Sequence, residues 1–130
     1  NNNKIQLDVV PQGTLSERMR AAGAGIGAFF TPTSAGTKLG EGKETRIIEG
    51  IEHVLEYPLK GDIALILAKK ADRLGNIIYD KSARNFSPVM AMAATTTIVQ
   101  VEELVEVGEM DPELIITPGI FIDYIFVHTK

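Results

Sequence analysis

A chain of 130 residues has room for one domain or part of a larger one, and 45% hydrophobic with 23% charged side chains is a globular balance that argues against bulk disorder. A formal net charge of −4 and an isoelectric point near 5.2 offer no field of cations for a run of phosphates, so a nucleic-acid footprint is not expected. The absence of cysteine removes disulfides, thiolate zinc sites and a cysteine nucleophile together, and is compatible with a reducing compartment.

The opening residues, NNNKIQLD, lack the apolar stretch of a secretory signal. The first residue is not Met, so we expect a processed chain or a piece of a longer one. Ile5–Val10 alternates apolar and polar residues and predicts a strand, followed by a turn at Pro11-Gln12-Gly13. Thr14 or Ser16 is the cap candidate for a short helix that stops near Gly23. The glycine-rich stretch Gly23–Thr37 reads as a loop with an extended piece around Ala28–Phe30. Ile47–Glu49 and Glu52–Tyr57 alternate around Gly50 as a hairpin. Ile63–Ala68 is a continuous apolar run, the signature of a strand buried on both faces.

Ile77–Tyr79 follows the turn residues Gly75 and Asn76 as a further strand. Pro88–Ala94 predicts a helix with Ser87 as cap and Pro88 in the first helical position. Thr96–Val101 predicts a strand, Asp111-Pro112-Glu113 one helical turn, and Ile120–His128 a closing strand. The longest uncharged stretches, Ala21–Thr37 and Asn85–Val101, are interrupted by Gly, Pro, Ser or Thr and fall short of the roughly 20 apolar residues of a membrane span. Strands alternating with short helices predict an α/β layered, open-sheet architecture. The helices are few and short for runs that need cover on both faces, as in an incomplete domain.

Several patterns invite chemistry. Gly23-Ala24-Gly25-Ile26-Gly27-Ala28 fits a G-x-G-x-x-A dinucleotide fingerprint, but a helix precedes it and no helix follows, so the pyrophosphate cradle has no context. His53 and His128 stand alone, without the i, i+4 partner of a metal site. Glu102, Glu103, Glu106 and Glu109 read as a solvated acidic face of a helix or loop. Four segments mix turn residues and polar side chains beside apolar strands: PQGTLSER, FTPT, ADRLGN with SARNF, and TPG. Turn chemistry alone accounts for most of them. Gln12 has no turn duty; its amide suits either a surface position or a donor to a developing oxyanion, free of the cost of desolvating a charge.

Together, and in order, PQGTLSER, GAGIGAFFTPT, EGK, ADRLGNIIYDKSARNF, EELVEVG and DPELIITPGIF resemble the A (alpha) subunits of the CoA-transferases that exchange CoA between short-chain acids: acetate, acetoacetate and 3-oxoacid CoA-transferases. The resemblance runs along nearly the whole chain but covers only the C-terminal part of such subunits, which run to roughly 200 residues or more. Their N-terminal GGFGxxGxP segment has no counterpart here. Residues 1–130 are thus expected to form the C-terminal part of an A-type domain. The implied fold is the open α/β sheet of CoA-transferases and sugar-phosphate isomerases.

The implied chemistry is covalent. A glutamate on the partner B subunit attacks an acyl-CoA, and an anhydride and then a glutamyl-CoA thioester follow. Coenzyme A is a substrate, with no permanently bound cofactor or metal, and the resemblance implies a cytoplasmic hetero-oligomer in short-chain fatty acid metabolism. It matches Gln12 to a glutamine lining the oxyanion pocket, and places Gly13, Phe30, Thr31 and Thr33 at the substrate pocket, with a purely structural loop as the alternative for FTPT. Glu106-Val107-Gly108 has the E-x-G form of the nucleophile's context, but it lies in the acidic stretch before Asp111 and is not matched to it. Arg84 and Asn85 read as structural. Two other readings stay open: a non-catalytic interface role, and a sugar-phosphate isomerase relative, for which no phosphate cradle is found.

Overall fold

The computed structural model describes residue 5 and residues 7–128. Helix α1 (Gln12–Gly23) comes first, then strand β1 (Phe29–Thr31), β2 (Thr45–Ile48) and β3 (Ile51–Glu56). The long strand β4 (Gly61–Asp72) is followed by β5 (Ile77–Ile78), helix α2 (Ser87–Ala93), the equally long β6 (Ala94–Val105) and β7 (Tyr124–Val127). Single 3₁₀ turns sit at Lys81–Ala83, Pro112–Leu114 and Gly119–Phe121. The strands form two sheets: an antiparallel one in the order β1-β3-β2, and a mixed one in the order β5-β4-β6-β7.

The hairpin forms around Gly50. Glu49 and Gly50 both take positive φ, 51° and 79°, the pattern of the two-residue turn whose twist matches its strands. It aligns Arg46 with His53 and Ile47 with Glu52. In the mixed sheet β4 and β6 run parallel from Gly61↔Ala94 to Asp72↔Val105, and β7 adds in parallel on the far side. A parallel pair needs a crossover, and α2 supplies it. Ala64, Ile66 and Ala68 of β4 and Val99 and Val101 of β6 meet Ala91 of α2 and Ile77 of β5 in the core. The alanines let the helix approach the sheet closely. Helix α1 reaches α2 through Gly23, where a Cβ would lie 2.4 Å from Met92 Cβ.

Several expectations need correction, the first being the turn at Pro11-Gln12-Gly13, whose last two residues open helix α1 instead. Ile5–Val10 forms no strand among the described residues, and Ile5, Leu7 and Val9 are exposed, because no neighbouring strand is there to pair with them. The run Ile63–Ala68 belongs to a longer strand and is buried on one face only: Ile63, Leu65 and Leu67 point to solvent. Ser87 is not a cap; it is the first helical residue and its hydroxyl donates back to Ala83 O at 2.9 Å. The closing strand is shorter than Ile120–His128, because a 3₁₀ turn occupies Gly119–Phe121 and Asp123 is pinned to Thr97 from both sides: Thr97 N–H donates to Asp123 Oδ2 at 2.7 Å and Asp123 N–H to Thr97 O at 3.0 Å. No helix among the described residues is long and apolar enough to cross a membrane.

Candidate functional site

Helix α1 starts where proline sets it. Pro11 holds φ −56° and ψ 141°, and its carbonyl accepts Leu15 N–H at 2.9 Å. Thr14 and Ser16 lie inside the helix rather than capping it, and no side chain caps this end. The N–H groups of the first turn, Gln12 and Gly13 among them, therefore have no intrahelical acceptor. Gln12 is exposed, and its amide makes no hydrogen bond with the described residues. A Cβ at Gly13 would meet nothing within 4 Å, so this glycine serves no packing need among the described residues.

The same helix is fastened to the end of β3 by one residue. Arg18 Nε donates to Tyr57 O at 2.8 Å, and Arg18 O accepts Leu59 N–H at 2.9 Å. On its outer face Glu17 and Arg20 pair at 2.6 Å; the hydrogen bond from Arg20 holds the Glu17 carboxyl below its ordinary pKa. Between Asp8 and Val10, Arg18, the loop Gly42–Glu44 and the end of β3 lies a cleft of about 370 Å³. At its inner wall Glu56, almost fully buried, receives Lys43 Nζ at 2.5 Å. A carboxylate so placed needs a paired cation, and Lys43 both supplies it and holds the Gly42–Glu44 loop over β3. Sequence reasoning misses this pair; the EGK segment is visible, but its acceptor lies 13 residues further on.

Phe30 and Thr31 sit on β1, opposite Leu55 and Val54 of β3. The Arg46 guanidinium covers the Phe30 ring at 4.6 Å from its centroid, a cation–π contact. Thr31 Oγ1 accepts Thr33 N–H at 3.2 Å, which folds the loop on itself. No hydrogen bond joins Gln12 or Gly13 to Phe30, Thr31 or Thr33 among the described residues; the loop from Ala24 to Ala28 connects their elements, and both elements meet β3 or the residues just past it.

The remaining motifs are engaged in the fold. Asp72 is buried and accepts from Leu74 N–H at 3.0 Å, Asn76 N–H at 2.9 Å and Asn76 Nδ2 at 2.8 Å. Asn76 Oδ1 in turn accepts Gly119 N–H at 2.9 Å. Ile77 bridges Thr117, whose hydroxyl meets Tyr79 Oη at 2.7 Å. Burial pushes the Tyr79 phenol above its ordinary pKa, against the opposing pull of the Thr117 hydrogen bond and the Arg84 charge. A Cβ on Gly119 would lie 2.0 Å from Leu74 O, so the close approach of ADRLGN and TPG requires glycine there. The acidic run begins in a strand rather than a helix or loop: Glu102 and Glu103 belong to β6 and pair with Lys69 and Lys70 of β4 at 2.5 Å and 2.9 Å, and just past both strands Arg73 pairs with Glu106 at 2.6 Å. Glu106 is therefore already engaged in a turn at the sheet's end. Gly23-Ala24-Gly25 ends α1 and opens no helix. His53 Nδ1 lies 2.9 Å from Ile51 O, and no cluster of three or more potential metal ligands exists among the described residues.

The family model described as Coenzyme A transferase matches residues 1–128. The chain is 66% identical over 119 residues to the A subunit of 3-oxoadipate CoA-transferase from Pseudomonas putida, covering 92% of this chain and 52% of that protein. It is 51% identical over 124 residues to the alpha subunit of acetate CoA-transferase from Escherichia coli, covering 95% of this chain and 56% of that one. The chain thus spans about half the length of these relatives. In fold it is similar to an acyl-CoA transferase of Escherichia coli solved as a thioester complex with CoA, with a TM-score of 0.87 at 23% identity, over 97% of this chain and 30% of that one.

Proposed function

The chain belongs to the coenzyme A transferase family, and from that premise we propose that it is the C-terminal portion of an A-type subunit whose complete enzyme moves CoA between short-chain carboxylic acids. The reaction needs a nucleophile this chain does not supply, a glutamate on the partner B subunit. Its carboxylate attacks the acyl carbonyl carbon of an acyl-CoA; the C–S bond breaks through an oxyanion, and the thiolate leaves an anhydride behind. The thiolate then attacks the glutamyl carbonyl, expels the donor acid as its carboxylate and forms a glutamyl-CoA thioester. The acceptor acid takes CoA by the same steps in reverse.

Each step passes through an oxyanion, and this chain's part is to meet it with donors already in place. The single observation carrying the assignment is Gln12: an exposed amide without a partner among the described residues, beside the free N–H groups of the first turn of α1. Its Nε2 would donate to the oxyanion, and Gly13 would let substrate or partner backbone approach. Phe30, Thr31 and Thr33 would shape the acyl side of the pocket, held by β3.

The substrate is placed among acetate, acetoacetate and other 3-oxo acids. The relatives' names support this range, and the higher identity to the 3-oxoadipate enzyme puts that acid first. The test uses the complete two-subunit enzyme. CoA transfer to each acid is measured with Gln12 intact and with Gln12→Ala. A loss of about 10²- to 10³-fold in kcat is expected for one oxyanion donor. Unchanged turnover would reduce this segment to an interface role, and CoA transfer by the isolated chain would overturn the two-subunit assignment.

A further inference from the structure

One face of the β1-β3-β2 sheet sets a cation over a half-buried ring. Phe30 stands opposite Leu55, and Arg46 opposite His53. Leu55 and His53 lie two residues apart on β3, so all four side chains share that face. Arg46 on β2 reaches across the middle strand and brings its guanidinium to 4.6 Å from the centroid of the Phe30 ring on β1. Such stacking fixes the plane of the guanidinium fork and leaves its N–H edge for a partner. Among the described residues that edge donates no hydrogen bond. Its carboxylate neighbour Glu44 stands at 3.8 Å, with the two side chains 62% and 58% exposed. A pair so exposed contributes little and gives way to a better-placed anion. The nearby cations are committed elsewhere: Lys43 to the buried Glu56, and Arg18 Nε to Tyr57 O. Leu55 also lines the 370 Å³ cleft that Arg18 of α1 borders, so this face and the helix that begins with Gln12 share one hollow.

We propose that Arg46 is a specificity-determining residue: stacked on Phe30, it takes the second carboxylate of a dicarboxylic 3-oxo acid while the first carboxylate exchanges CoA. The inference rests on the transferase reading above, in which Phe30 shapes the acyl side and 3-oxoadipate is put first. That acid and acetoacetate share the reacting carboxylate and the 3-oxo group. They differ beyond it, where one ends in a charge and the other in a methyl group. A guanidinium separates the two, because its planar fork meets a carboxylate with two parallel N–H···O bonds and finds no acceptor on a methyl. The Phe30 ring holds the fork in place before the acid arrives, so less side-chain freedom is lost on binding. Glu44 is the anion that the substrate displaces.

The test is acceptor specificity in the complete two-subunit enzyme, with one acyl-CoA donor throughout and 3-oxoadipate or acetoacetate as the acceptor. Arg46→Met should lower kcat/KM for 3-oxoadipate about 10- to 100-fold. The loss should fall chiefly on KM, because the distal carboxylate is held equally before and at the transition state. Acetoacetate should be used as well as before. Arg46→Lys keeps the charge but not the fork, and should fall between wild type and Arg46→Met with 3-oxoadipate; it decides by the same ratio should Arg46→Met fail to assemble. An equal loss for both acids, or a loss for neither, overturns the proposal. Gln12→Ala should lower transfer to both acids together. An enzyme that keeps this dependence while its acceptor ratio ignores Arg46 rejects the present proposal alone. Wild-type enzyme that transfers CoA to neither acid rejects the transferase reading, and the role of Arg46 with it.

Discussion

Two regions built from similar-looking motifs end in different states. In the region from Asp72 to Gly119, the polar groups of ADRLGN and TPG satisfy one another: Asp72 takes three donors, Asn76 receives Gly119, and Tyr79 meets Thr117. In the region from Pro11 to Tyr57, the side chains of PQGTLSER reach another element by one hydrogen bond, from Arg18, while Gln12 makes none among the described residues and a Cβ at Gly13 would meet nothing within 4 Å. A turn motif whose donors and acceptors close on themselves belongs to the fold. One that leaves donors facing outward is available to something else.

The comparison breaks most visibly if Gln12→Ala behaves like a fold mutation. We expect the 10²- to 10³-fold loss of kcat in the complete enzyme with an unchanged urea midpoint. Gly119→Ala is its mirror image. The added methyl meets the Leu74 carbonyl at 2.0 Å, so the two turns must separate, at a cost of about 3 kcal/mol. Enzyme that still folds should keep its kcat.

Lys43→Met sharpens the boundary between the regions, because it leaves Glu56 buried without a cation. Full burial of both partners would cost about 3–5 kcal/mol. Lys43 is about one-third exposed, so about 2 kcal/mol is expected, read as a lower midpoint that Lys43→Met combined with Glu56→Met partly restores.

The smallest effect concerns Tyr79. Its folded-state pKa is raised by burial. The native chain keeps this proton where the unfolded chain loses it, near the ordinary phenol value of about 10. The resulting stability is present below that value and falls away as pH rises through the native one. Ultraviolet titration should show one tyrosine ionising later than free tyrosine, and Thr117→Val should move it later still, since that hydroxyl favours the phenolate.

Alternation made the hairpin legible, since Glu49-Gly50 turns where the apolar pattern resets. The lengths of β4 and β6 were not legible from hydrophobicity. Both strands continue past their apolar runs into Lys69, Lys70, Glu102 and Glu103, whose pairing across strands leaves no mark in a one-dimensional pattern. The apolar run at Ile63 marked a strand but not its burial: Ile63, Leu65 and Leu67 are exposed, because the described residues cover one face only. Ile5–Val10 carries a strand pattern but pairs with no strand among the described residues. At the candidate site, Gln12 stood out as an amide without a turn duty, and its side chain makes no hydrogen bond among the described residues. The Lys43–Glu56 pair stayed hidden because it depends on where β3 ends relative to a loop, which spacing alone does not encode.

The Glu49-Gly50 turn has a practical use. It is exposed, its backbone geometry is set locally, and tips of this kind accept insertions. From Ile51 the strand runs to Glu56, about 17 Å at roughly 3.4 Å per residue, to reach the cleft wall. A fluorophore placed at the turn would sit outside the pocket, at the far end of the strand from its wall. The hairpin thus doubles as a built-in arm that carries a label clear of the cleft it helps to wall.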